Sequence, residues 1–143
     1  MKIRDVMTKD IASIETNDDL QKAASLMEQH NVGSIPVCEQ GRVVGIITDR
    51  DIALRSVAKG SDTKNVSVRS VMSSNPATVN PDADVNDAVR IMSERQIRRL
   101  PVVENNTLVG MVALGDIALE PALKNNAETA LKNISEPCSP TIQ

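Results

Sequence analysis

Two stretches of this chain carry side chains suited to holding a small polar ligand: Thr48-Asp49-Arg50-Asp51 and Gln96-Ile97-Arg98-Arg99. A carboxylate such as that of Asp51 accepts two hydrogen bonds from a vicinal diol, and the Thr48 hydroxyl can bond a sugar or phosphate oxygen. Arg98 and Arg99 stay charged and can bond phosphate oxygens bidentately. Plainer readings stand beside these. Asp51 could simply cap a helix. The arginines could form a solvated basic surface, or pair with Glu94 or Glu104. Catalysis finds less support. His30 is the only histidine, no cysteine or second histidine stands at ligand spacing, and no nucleophile–base set can be assembled. The phosphate-cradling G-x-x-x-x-G-K pattern is missing. The expectation is a protein that is not an enzyme and has no metal site.

Both stretches belong to a duplication. Met7, Pro36, Gly45, Asp51 and Ile52 recur as Met72, Pro101, Gly110, Asp116 and Ile117, at a constant offset of 65 (101 minus 36). Arg4/Arg69, Ala23/Ala88, Met27/Met92 and Val44/Val109 keep that offset without a gap. A repeat of this length sets the architecture, because two copies of one unit pack about a pseudo-two-fold axis. The copies are read as residues 1–60 and 67–123, with a polar linker at 61–66 and a polar C-terminal tail at 124–143.

Each copy opens on a short apolar turn, IRDVM or VRSVM, followed by an extended segment, Ile11–Ile14 or Ala77–Val79. A polar helix start comes next. Asn17, Asp18 and Asp19 offer cap oxygens in the first copy, and Pro81 and Asp82 do that work in the second. Leu20, Ala23, Ala24 and Met27, then Val85, Ala88, Val89 and Met92, form apolar stripes at helical spacing. Two strands follow, joined by Gln40-Gly41 or Asn105-Asn106, residue types that tolerate positive φ. Arg42–Thr48 and Thr107–Ala113 are apolar enough to be buried on both faces. Pro36 and Pro101 suit a strand entrance or edge. A second helix begins near Asp49–Asp51 and near Gly115–Asp116. Beyond Leu123, the residues Ala127, Leu131 and Ile134 suggest one amphipathic turn or two, and the last six residues suggest disorder.

Composition narrows the partners. The net charge is −3 and there is no Phe, Tyr or Trp. Bulk attraction to nucleic acid or anionic lipid is therefore weak, and no aromatic platform exists for stacking bases. With 41% apolar and 24% charged residues the chain reads as an ordinary globular protein. No run approaches the roughly 18 apolar residues of a membrane span, and MKIRDVMTKD carries no secretory h-region. A cytoplasmic location is expected. Cys38 sits in an apolar run and reads as a buried, inert thiol. Cys138, in the tail, could make an intermolecular disulfide.

The order β-α-β-β-α, twice, with P-V, a hairpin turn, G-I-I-T-D-R-D-I and G-M-V-A-L-G-D-I, resembles a tandem CBS-domain pair (a Bateman module) of the small stand-alone bacterial kind. The resemblance covers roughly residues 3–123. It implies an α/β (α+β) fold of two repeats and a sensor module. Such pairs bind adenosine-containing ligands (AMP, ADP, ATP, S-adenosylmethionine) in clefts between repeats. They usually form homodimers, and occupancy is passed on to a regulated partner.

The resemblance also distributes roles. In similar pairs the Thr and second Asp of the Thr48–Asp51 motif contact ribose and phosphate. Asp10, Ala12, Val32, Gly33 and Ser34 then surround the base, with Val32 equally readable as core. Basic residues placed like Arg98 and Arg99 reach, in the gamma subunit of AMP-activated kinase, the phosphate of a nucleotide held by the neighbouring repeat. The two copies are not equally equipped. The first has Gly33 and Ser34 where the second has Arg98 and Arg99, and the second has Ala113 where the first has Thr48. One phosphate-bearing ligand per chain is expected, at Asp51. The Asp116 cleft should be empty, weak, or take an uncharged nucleoside. A ligand-independent dimerisation scaffold is the alternative function.

Overall fold

The computed structural model describes residues 1–137. In chain order its elements are β1 (Ile14–Glu15), α1 (Leu20–His30), β2 (Ser34–Glu39), β3 (Arg42–Thr48), α2 (Asp49–Arg55), β4 (Ser73–Ser74), α3 (Val85–Arg95), β5 (Arg99–Glu104), β6 (Thr107–Ala113), α4 (Leu114–Ala118) and α5 (Lys124–Ser135). The mixed α+β class expected from the repeats is what forms.

The chain packs into two bodies. One holds Asp10–Pro76 with Val103–Leu108, and the other holds Met1–Lys9, Ala77–Val102 and the chain from Val109 onward. These bodies do not follow the two sequence copies, because each copy lends its opening segment to the body built from the other. In the first body β4 pairs antiparallel with β3 (Gly45 with Ser74), and Val68 N donates to Asp18 O at 2.8 Å. In the second, Thr8 bridges Met111 and Ile3 N donates to Ala83 O at 2.9 Å.

The first body contains a sheet in the order β1-β2-β3-β4. Parallel β1–β2 pairing is confined to Ile14 with Val37 and Glu15 with Cys38, so the expected strand at Ile11–Ile14 is mostly irregular. Pro36 lies in β2 one residue before that pairing begins, where its missing N–H costs no β1 bond. Ile14, Leu20, Ala23, Met27, Ile35, Val37, Ile47, Val68, Val71 and Met72 form the core. The Asp19 carboxylate caps α1 by accepting from Lys22 N at 2.8 Å, and Asn31 closes the helix at φ 53. The linker is fastened to this helix start, since Leu20 N donates to Val66 O at 3.2 Å. Cys38 is buried as expected.

The second body repeats the plan around β5–β6, with Val79 making a single parallel bridge to Val102. Its core is Ile3, Val85, Ala88, Met92, Leu100, Val102, Val112 and Ile117, extended by Leu123, Ala127 and Ala130. The cap of α3 is Asp84, accepting from Asn86 N at 2.8 Å, and not Pro81 or Asp82. Asp82 is drawn instead to Arg4, at 2.8 Å. Both hairpin turns have two consecutive positive-φ residues, Gln40-Gly41 and Asn105-Asn106, as the twist of a tight hairpin requires.

Two glycines explain part of the repeat. A Cβ on Gly45 would fall 2.5 Å from Met72 Sδ and 2.9 Å from Ser73 O. On Gly110 it would fall 2.9 Å from both Met7 Sδ and Thr8 O. Gly45/Met72 and Gly110/Met7 are therefore packing pairs, which is why both residue types recur together.

The tail differs from expectation. Residues 124–135 form a full helix, α5, packed on α3 and α4 and burying Ala127 and Ala130. Gln96 Nε2 ties down its end by donating to Asn133 O at 3.2 Å and Glu136 O at 2.9 Å. Small alanines let the helix approach closely, so packing supplies the stability that its modest apolar stripe does not. Cys138 and the last residues, for which a disulfide and disorder were considered, lie outside the described residues.

Candidate functional site

Where β3 passes into α2, the first body gathers four of the anticipated residues at one corner. Ser34 stands opposite Thr48 across the β2–β3 ladder, and Gly33 O accepts from Asp49 N at 2.9 Å. Thr48 and Asp51 make a reciprocal cap: Asp51 N donates to Thr48 Oγ1 at 3.0 Å, and Thr48 N donates to Asp51 Oδ2 at 3.0 Å. The capping role of Asp51 is therefore real, and it occupies one carboxylate oxygen. The other oxygen, Oδ1, lies 3.7 Å from Arg55 Nε, leaving room for a further donor. The Asp51 side chain is only 13% exposed, so a hydrogen bond made to it is weakly screened.

The Ser34 Oγ is shielded from solvent and has no hydrogen-bond partner among the described residues, a state it shares with Ser56 Oγ and Ser93 Oγ. An unpaired buried hydroxyl costs roughly 1–3 kcal/mol. Gly33 is small for a local reason as well: a Cβ there would sit 3.0 Å from Asp49 Oδ2. Ala12 and Val32 are half-buried and pack against the core of the same body, so the core reading of Val32 holds. Asp10 is exposed at the start of this body.

Arg55 escaped the reading of the sequence. Its Nη1 donates to Val71 O at 3.0 Å while its Nε faces Asp51. The guanidinium thus steadies the carboxylate from the following helical turn. The signal was available, because Asp51 and Arg55 are i and i+4 on one helix. Arg50, in the same motif, is exposed.

The equivalent corner of the second body is built on the same backbone plan. Arg98 O accepts from Leu114 N at 2.8 Å, and Ala113 N donates to Asp116 Oδ2 at 2.9 Å. Ala113 brings no hydroxyl, so only half of the reciprocal cap exists, and Glu120 stands where the first copy has Arg55. Arg98 is exposed and Arg99 half-buried. Neither pairs with Glu94, which lies 3.6 Å from Arg90. Both line a cavity of about 530 Å³ whose wall includes Ala113, Leu114 and α5. That volume lies within the range of small-molecule sites, roughly 300–1,000 Å³. Among the described residues no group of three or more His, Cys, Asp or Glu side chains is placed to hold a metal ion, and no helix is long and apolar enough to cross a membrane.

A family model described as the CBS domain matches residues 3–57 and again 68–122. The CBS domain-containing protein YhcV of Bacillus subtilis is 50% identical over 133 residues, spanning 93% of this chain and 94% of its own. Among solved structures, Hypoxic Response Protein I with two coordinated zinc ions is similar with a TM-score of 0.77 and 31% identity, over 82% of this chain and 97% of that one. The CBS-domain pair of MJ0100, solved in complex with 5′-methylthioadenosine and S-adenosyl-L-methionine, gives a TM-score of 0.73 and 29% identity over 82% and 97%.

Proposed function

Since this chain belongs to the CBS-domain family and carries the domain twice, we propose that it is a regulatory sensor whose ligand contains adenosine (AMP, ADP, ATP or S-adenosylmethionine). The observation that carries this reading is the Thr48–Asp51 corner. There a mostly buried carboxylate keeps one oxygen beyond its cap, and Ser34, opposite Thr48 in the β2–β3 ladder, carries an unpaired hydroxyl. That oxygen would accept from the ribose hydroxyls, with Gly33 and Ser34 allowing a flat ring close to the backbone. Asp10, Ala12 and Val32 would border the base. MJ0100, a related pair, is described with two adenosine-containing ligands, which supports the class of ligand. The Asp116 corner, without a hydroxyl or a steadying arginine, would hold a ribose more weakly.

The protein would act in the cytoplasm as a homodimer, without chemistry of its own. Leu54 and Leu119 occupy equivalent positions in the two copies and are 48% and 85% exposed, with Val57 60% exposed beside the first. Large apolar side chains held in water at matched positions suit burial against a second copy. Ligand would act by preferring one packing arrangement over another, and so shifting the population that a regulated protein meets.

A thermal-shift screen with an extrinsic dye tests the reading, the chain having no tryptophan. A ligand at 100 times its Kd adds about 2.7 kcal/mol. For a chain of this length that raises Tm by on the order of 10 °C. No shift with any adenosine-containing compound would leave the ligand-independent scaffold as the better account.

A further inference from the structure

We infer that α5 is part of a phosphate-ester site: a ligand held by Arg98 and Arg99 is also gripped by Lys124, and its binding clamps α5 onto the body that carries it. The cavity of about 530 Å³ is bounded on one side by Arg98 and Arg99 and on the other by α5, which contributes Lys124, Glu128 and Leu131. Three cations thus line an open-sided space together with one carboxylate. Among the described residues none of these four charged side chains forms an ion pair or a side-chain hydrogen bond. Arg99 is half-buried and has no counter-charge, so an anion that reaches it gains charge-assisted hydrogen bonds. The net positive charge selects an anion.

The rest of the lining selects the body attached to that anion. Ala113, Leu114 and Ala118 provide an apolar floor, and Leu131 stands 48% exposed on the α5 wall. A phosphate ester of a flat or aliphatic group would cover that leucine while neutralising the cations.

Clamping follows from where α5 is tied, since it packs on α3 and α4 but its side-chain ties lie at its C-terminal end. Its buried anchors are two alanines, Ala127 and Ala130, and its far end hangs on the Gln96 amide. A ligand bridging Lys124 to Arg98 and Arg99 would fasten the opposite end. An element near the chain end can open locally without global unfolding, so an added bridge slows its amide exchange. The helix would then report occupancy to whatever it touches.

The inference rests on the phosphate role that the resemblance implies for Arg98 and Arg99, but needs neither adenosine nor Asp51. Pyrophosphate and AMP are the probes, and amide hydrogen exchange across residues 124–135 is read together with affinity. Either bound probe should slow exchange in α5 several-fold. Lys124→Glu, at an exposed position, should weaken binding at least tenfold and abolish the slowing, while Lys124→Arg should restore both. Protection of α5 by pyrophosphate without AMP binding would refute the nucleotide reading and keep the clamp. AMP binding with α5 exchange unchanged, or equal binding by Lys124→Glu, would refute the clamp alone. Failure of both probes to bind would refute both.

Discussion

The corner at Thr48–Asp51 and the corner at Ala113–Asp116 are the same piece of backbone used twice. In each, an aspartate accepts from the backbone N–H three residues earlier, at 3.0 and 2.9 Å. The difference lies in what surrounds that bond. The first adds a threonine hydroxyl and an arginine one turn on, the second an alanine and a glutamate. Helix capping therefore keeps the aspartate in both copies, and the residues around it decide whether the remaining oxygen is set up for a ligand. A recurring aspartate alone would have marked two equal sites.

The comparison breaks most sharply at Asp51. Asp51→Asn keeps an acceptor for the cap but loses the charge. Affinity for an adenosine ligand should fall about 10- to 100-fold, matching the 1.5–3 kcal/mol of a hydrogen bond to a charged group. Asp116→Asn should change it less than twofold. Titration calorimetry reads both, and equal losses would erase the distinction between the corners.

Gly45 and Gly110 give the next largest effect. Gly45→Ala drives a methyl towards Met72 Sδ and the fixed Ser73 carbonyl, and should cost about 1–3 kcal/mol in urea unfolding. Gly110→Ala meets Met7 Sδ less closely and should cost less. Reversal of that order would mean that the two packing pairs do not differ as their distances say.

Thr48→Ala removes the hydroxyl half of the reciprocal cap and should destabilise by about 1 kcal/mol. Ala113→Thr offers the second corner the same hydroxyl and should stabilise by a similar amount. If both substitutions are neutral, the cap contributes nothing to the contrast.

The smallest effect is at Cys38. Desolvation, and then the Glu15 charge, hold its thiol above the ordinary value of 9.0. The folded state therefore keeps a proton that the unfolded state releases, and stability falls as pH rises past 9.0. Cys38→Ala should flatten that alkaline decline while leaving stability near neutral pH to packing alone.

How much of this was legible in the sequence depends on the range of the interaction. The constant offset, the α1 and α3 stripes and the Gln40-Gly41 and Asn105-Asn106 turns are local signals, and the fold obeys them. Thr48 and Asp51 are three residues apart, and their cap could be read directly. Asp84 displaced Asp82 as the cap of α3 because Arg4, far away in sequence, claims Asp82. Likewise α5 owes its length to alanines buried against α3 and α4, and to the Gln96 bonds, none of which a local pattern reveals. The arginine pair was visible as charge; its cavity, made with residues 124–131, was not.

Stoichiometry separates the two corners most directly. Calorimetry of AMP, ATP and S-adenosylmethionine against the wild-type chain should give one tight site per chain for at least one of them. That site should persist in Asp116→Asn and weaken in Asp51→Asn. Two equal sites per chain, or an affinity that Asp51→Asn leaves unchanged, would contradict the account.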